Sequence, residues 1–201
     1  MTTTGADYVW FEDDFPDIAE AYCFNLVRGL TPADLVSRLD GRREEPLRGI
    51  DAVVDAAFAE FQREEGARQM VALTTVGEWT LLIEPNGYLG VTEEYVLAAS
   101  AGVSWVSHFV NINAVGTFLW AEDRDLRLCF DPMFPEDRWG AAPDGLLDVM
   151  RRVGFHFDED EPEPDLSSPA AFALAEHLTG VALTPEILRD TTFGCATVRV
   201  R

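Results

Sequence analysis

The sequence predicts an α+β fold: an antiparallel sheet of about six strands with helices packed mainly on one face. Two observations carry this expectation. Short runs rich in β-branched, aromatic and aliphatic residues fall in 21–30, 71–76, 79–91 and 103–131, and tight polar turns separate several of them. Helix start and stop signals flank these runs on both sides. With 201 residues, 47% of them hydrophobic and 25% charged, the chain can also bury a sizeable core without a disulfide or metal staple.

The elements follow in chain order. YVWFEDDFPDI mixes aromatics with carboxylates and is expected to lie across the domain surface. AYCFNLVRGL (21–30) reads as a strand ending at Gly29. TPADLVSRL (31–39) is a helix, with Thr31 as N-cap, Pro32 in the first position, Asp34 in the positive first turn and Gly41 beyond its end. IDAVVDAAFAEFQREEG (50–66) places Val53, Ala57, Phe58 and Phe61 at helical spacing. VALTTV, the turn Gly77-Glu78 and WTLLIEP make two strands. Asn86-Gly87 reads as a type I′ hairpin turn returning YLGV as a third, short strand. Period-2 alternation then puts Trp79, Leu81 and Ile83 on one face and Thr80, Leu82 and Glu84 on the other, with Glu84 as a partly exposed or locally paired carboxylate.

TEEYVLAASAG (92–102) is a short helix closed by Gly102. VSWVSHFVNIN, AVGTFLWAED and DLRLCFDP are three further strands, with Glu122 to Asp125 as the turn between the last two. PDGLLDVMRRVGF (143–155), SPAAFALAEHLTG (168–180) and TPEILRDTTFG (184–194) are helices, and DEDEPEPD (158–165) is a charged, proline-bearing linker that cannot form a core. The expected organisation is a main domain over 1–157, the acidic linker over 158–165, and a helical segment over 166–201 packed on the main domain.

The charge narrows the function classes. Asp and Glu number 36 against 15 basic residues, all arginine, for a net charge of −21. Nucleic acid and anionic membrane surfaces need a basic footprint, so neither is an expected partner; the charge reads either as a solvated acidic surface or as a face that attracts a basic protein. No apolar run approaches the ~18 residues of a membrane span, and the N-terminus lacks the basic and apolar regions of a signal peptide. Cys23, Cys129 and Cys195 lie far apart without a C-x-x-C, which fits reduced thiols in a cytoplasmic protein, and the apolar runs around Cys23 and Cys129 read as burying those two.

Motifs with a known chemistry are absent. The sequence holds no G-x-S-x-G, Walker A or dinucleotide fingerprint. Its histidines, His108, His156 and His177, have no metal-ligand spacing, so no metal, cofactor or catalytic residue is assigned. One polar and aromatic group stands out as candidate binding residues: Trp79, Glu84, Asn86, Tyr88, His108, Asn111, Asn113, Trp120 and Asp131. If the strands of 103–131 pair in sequence order, Asn111, Asn113 and Asp131 gather near one end of the sheet. Asparagines and aspartates at strand ends also form turns, and both readings stay open.

WTLLIEPNGYLG, SAGVSWVSHFVNINAVGTFLWAED and LRLCFDPMFP together resemble the core of an uncharacterised actinobacterial domain-of-unknown-function family. Its pattern is W-T/S-x-x-x-E-P-N-G-x-x-G, then N-V/I-N-A, an acidic turn and F-D-P, and the likeness covers roughly residues 70–135. The resemblance implies an intracellular bacterial α+β domain and brings no activity or substrate.

The expected function is a non-catalytic binding, immunity or regulatory module for a basic protein. Two alternatives stand beside it. One is an enzyme using Glu84 with Asn111, Asn113, Asp131 or His108; the other is a structural or oligomerising domain.

Overall fold

The computed structural model describes residues 3–157 and 166–200; the linker expected over 158–165 lies outside them. Their strands form one sheet in the order β2-β9-β3-β4-β1-β5-β6-β7-β8, every neighbouring pair antiparallel. The expected strands are present as β1 (Tyr22–Arg28), β3 (Arg68–Val76), β4 (Trp79–Pro85), β5 (Ser104–Val110), β6 (Gly116–Glu122) and β7 (Asp125–Asp131). The expectation of about six falls short, because the sheet has nine.

Each additional strand was hidden for a physical reason. β2 (Arg42–Arg48, RREEPLR) and β8 (Phe134–Trp139, FPEDRW) are the two edges. Both carry charges and a proline, which blunt an edge against further pairing and erase the apolar alternation that signals a strand. β9 (Thr192–Arg199) follows a capped helical turn, and the helix expected over 184–194 overruns its first three residues. That helix instead ends at Asp190, and β9 inserts between β2 and β3 as an inner strand. The C-terminal segment is therefore not purely helical.

The sheet separates two cores. The larger holds Leu81, Ile83, Val106, Phe118 and Phe130 under α1 (Trp10–Asp14), α2 (Pro16–Ala19), α4 (Ile50–Arg63), α6 (Leu147–Val153), α7 (Ser167–Thr179) and α8 (Pro185–Asp190). The smaller holds Val27, Leu73, Leu82 and Trp105 under α3 (Pro32–Arg38) and α5 (Glu93–Ala99). The alternation expected along β4 holds: Leu81 and Ile83 enter one core, Leu82 the other.

Local chemistry sets several boundaries. At α3 the Thr31 hydroxyl accepts from the Asp34 backbone N–H, the Asp34 carboxylate faces back to Thr31, and Pro32 opens the helix. At α8 Thr184 accepts from the Ile187 N–H ahead of Pro185. The N-terminal aromatic segment corrects the expectation of a surface strap. Tyr8, Phe11, Phe15 and Ile18 are buried, and Phe11 packs edge-on against Tyr22 and Phe24. On α4, Val53 and Ala57 face the core, whereas Phe58 and Phe61 are exposed.

Candidate functional site

Asn86-Gly87 is not a type I′ turn, and YLGV does not return as a strand. Asn86 takes φ +49°, Gly87 stays outside the left-handed region, and the Gly87 N–H donates to the Glu84 carbonyl at 3.3 Å. This is the pattern of a turn with proline second and a positive-φ residue third. The chain then enters a single 3-10 turn, Leu89–Val91. The double positive-φ turn sits elsewhere, at Asp123 and Arg124 between β6 and β7. There the Asp123 carboxylate accepts from the Gly102 N–H and the Arg124 N–H donates to the Ser100 hydroxyl.

What folds the 86–91 segment back is Glu84, which is fully buried rather than partly exposed. Its Oε2 accepts from the Leu89 N–H at 2.8 Å, and its Oε1 accepts from the Gly90 N–H and the Asn25 Nδ2, both at 2.9 Å. Asn25 Oδ1 in turn accepts from the Ser107 hydroxyl at 2.6 Å, and that hydroxyl accepts from the Trp105 indole N–H at 2.7 Å. The chain of bonds crosses β4, β1 and β5 inside the smaller core, where buried polar groups must pair to avoid a desolvation cost. Burial pushes the Glu84 carboxyl up to about 7, against the pull of its N–H donors. The neighbouring Cys23 thiol is raised, first by burial and then by the Glu84 charge.

The two glycines of E-P-N-G-x-x-G follow from this packing. A Cβ on Gly90 would lie 1.6 Å from Asn25 Oδ1, and one on Gly87 would lie 2.7 Å from Glu84 Cβ and 2.8 Å from Gln69 Cδ. Gly87→Val is therefore expected to cost about 2 kcal/mol by overpacking. Asn86→Ala should cost about 1 kcal/mol through its positive φ alone, and Asn86→Gly close to nothing. Urea denaturation of the three variants checks this order; equal losses for Gly87→Val and Asn86→Ala would contradict it.

The remaining candidates divide into separate places. Trp79 is buried at the opposite end of β4. Trp120 lies under the Arg127 guanidinium, 5.8 Å from its ring centre. His108 is buried in the larger core, across the sheet from Glu84, and burial holds it neutral by lowering its pKa to about 3. The enzyme constellation of Glu84 with His108 is thus split between the two faces.

Strand pairing does bring Asn86, Tyr88, Asn111, Asn113 and Asp131 to one end of the sheet. Tyr22 pairs with both Pro85 and Val110, Val110 with Gly116, and Phe118 with Phe130, so the loops after β4, β5 and β7 emerge together. Asn111 Oδ1 accepts from the Asn113 and Val115 N–H groups at 2.9 and 3.1 Å, and Asp131 Oδ1 from the Met133 N–H at 3.0 Å. These side chains shape turns. What the turns display is apolar: Ile112 is 74% exposed, Val115 51%, Met133 46% and Phe134 52%. Ile112 and Met133 line an open cleft of about 250 Å³, whose walls also include Asn111, Asp131, Glu12 and Glu20. No arginine lines it among the described residues. Sequence reasoning missed the apolar tips; the available signal was Ile, Val, Met and Phe inside turn sequences that are ordinarily polar.

Fold and cleft together define an α+β protein on a single antiparallel sheet, with an acidic, apolar-tipped opening at one sheet end. The chain belongs to DUF6461, a family of unknown function whose model matches residues 1–201. No curated protein and no solved structure matches it. Among the described residues no helix is long and apolar enough to cross a membrane, and no group of three or more His, Cys, Asp or Glu side chains is placed to hold a metal ion.

Proposed function

We propose that this chain is a non-catalytic, intracellular binding module that docks a basic protein, in the manner of an immunity or regulatory partner, on the sheet end formed by the β5–β6 and β7–β8 turns. The observation that carries this reading is the exposure of Ile112, Val115, Met133 and Phe134 beside the carboxylates of Glu12, Glu20 and Asp131. Large apolar side chains grouped at the surface and rimmed by charge mark contact sites, with the apolar centre giving affinity and the rim giving orientation. The net charge of −21 adds long-range attraction for a cationic surface and accelerates encounter at low salt. Asn111 and Asp131 serve this role by holding the turns that present the apolar tips.

A photo-crosslinking residue placed at Phe134 in the producing cell tests the reading, with Phe58 on the solvent side of α4 as the control position. The expected adduct is one basic protein, formed at Phe134 and not at Phe58, with binding weakened by added salt. Ile112→Ser with Met133→Ser should abolish the adduct and change the urea midpoint little, since exposed positions rarely contribute more than ~0.5 kcal/mol. Equal labelling at both positions, or an acidic partner insensitive to salt, would overturn the proposal.

A further inference from the structure

A second cleft lies between the N-terminal turn Gly5–Tyr8 and the connection from α7 to α8, and no residue lines both it and the docking cleft. Its volume is about 330 Å³, within the size range of small-molecule sites. Trp10, Ala182 and Pro185 contribute apolar wall, and Asp7 and Glu176 contribute carboxylates. Trp10 is half-buried and packs at steep angles against Phe11 and Phe15, which fixes its indole.

The electrostatics of this cleft are one-sided. Glu176 stands in the last turn of α7, where unpaired carbonyls make the helix end negative and favour a cation. The Tyr8 hydroxyl donates to one Glu176 oxygen at 2.7 Å, and the Thr3 hydroxyl donates to the other at 2.8 Å. Burial, and then the bond to Glu176, raises the Tyr8 phenol well above its ordinary pKa, so it stays a neutral donor. One Asp7 oxygen accepts from the Thr4 N–H at 2.9 Å and the Thr4 hydroxyl at 3.2 Å. Both carboxylates therefore have hydrogen-bond donors but no counter-charge in the cleft. No arginine or histidine lines it among the described residues.

What the cleft lacks is positive charge more than N–H groups. A quaternary ammonium supplies charge alone: its methyl groups donate no conventional hydrogen bond, and they rest favourably on an indole. We propose that this cleft binds a small quaternary ammonium cation, with its methyl groups against Trp10 and Pro185 and its charge beside Glu176 and Asp7. A primary amine is the poorer ligand, because it gives up hydration to reach oxygens that hydroxyl donors already occupy. A ligand that adds a phosphate, such as a phosphocholine head group, is repelled by the same two carboxylates.

Choline is the probe, compared by calorimetric titration with three analogues: its neutral isostere carrying carbon in place of nitrogen, ethanolamine and phosphocholine. Choline should saturate with a Kd of about 1 mM or tighter and shift the Trp10 indole N–H resonance, and each analogue should bind about tenfold more weakly. Glu176→Gln should weaken choline about tenfold and leave the neutral isostere unchanged. Ala182→Arg places a cation at an exposed wall position, away from the bond between Tyr8 and Glu176, and should weaken choline to the same degree without lowering the melting temperature. The proposal is overturned by absence of saturable choline binding, by an analogue that binds as tightly, or by choline binding that survives both substitutions.

Discussion

Gly90→Ala is expected to lose about 3 kcal/mol through steric overlap. The added Cβ would sit 1.6 Å from Asn25 Oδ1, and Asn25 is fully buried between β4 and β5. Its amide cannot step aside without giving up Glu84, Ser107 and the Leu82 carbonyl together. For a chain of this length such a loss lowers the melting temperature by roughly 10 °C. The cause is separable from any general intolerance of the loop. Asn25→Ala alone should cost about 2 kcal/mol through unpaired donors and acceptors. With Gly90→Ala added to it, little further loss should follow, because the atom struck by the new methyl has gone. Urea denaturation of the two single variants and the pair gives the coupling; additive losses would refute the steric explanation.

Glu84 is expected to impose a pH dependence opposite to that of an ordinary salt-bridged carboxylate. Its folded-state pKa, about 7, lies above the usual 4.5, so between these values the folded chain holds a proton that the unfolded chain has released. Stability from this group is fully present below pH 4.5 and is lost as pH rises through about 7, on the order of 3 kcal/mol in total. Asp34 acts in the other direction: hydrogen bonding to Thr31 lowers its pKa, and its contribution is lost as pH falls. Comparing wild type with Glu84→Gln cancels such background. The stability difference between the two should shift against wild type from pH 4.5 to 8 and level off above that. Parallel pH profiles would show that the N–H donors, not burial, govern the carboxyl group.

How far the site was legible depended on how far apart its causes lie in the chain. The gathering of Asn111, Asn113 and Asp131 at one sheet end followed from antiparallel neighbours joined by short turns, a local rule. The role of Glu84 did not, because Asn25 lies 59 positions away and nothing in WTLLIEPNGYLG names it. Asn86-Gly87 misled for a related reason. The dipeptide is a strong hairpin signal, yet a buried carboxylate two residues earlier offers the following N–H groups a better partner than a returning strand.

The sequence by itself determined the α+β class, the helix starts at Thr31 and Thr184, the alternating faces of β4 and the acidic surface. Each depends on a side chain and its near neighbours. Only the tertiary structure decided that RREEPLR and FPEDRW close the sheet as edges, that β9 enters between β2 and β3, and that Glu84 faces Asn25 while His108 lies across the sheet. Pairing and burial choose among distant segments, and their free energy belongs to contacts that exist only once the chain has closed on itself.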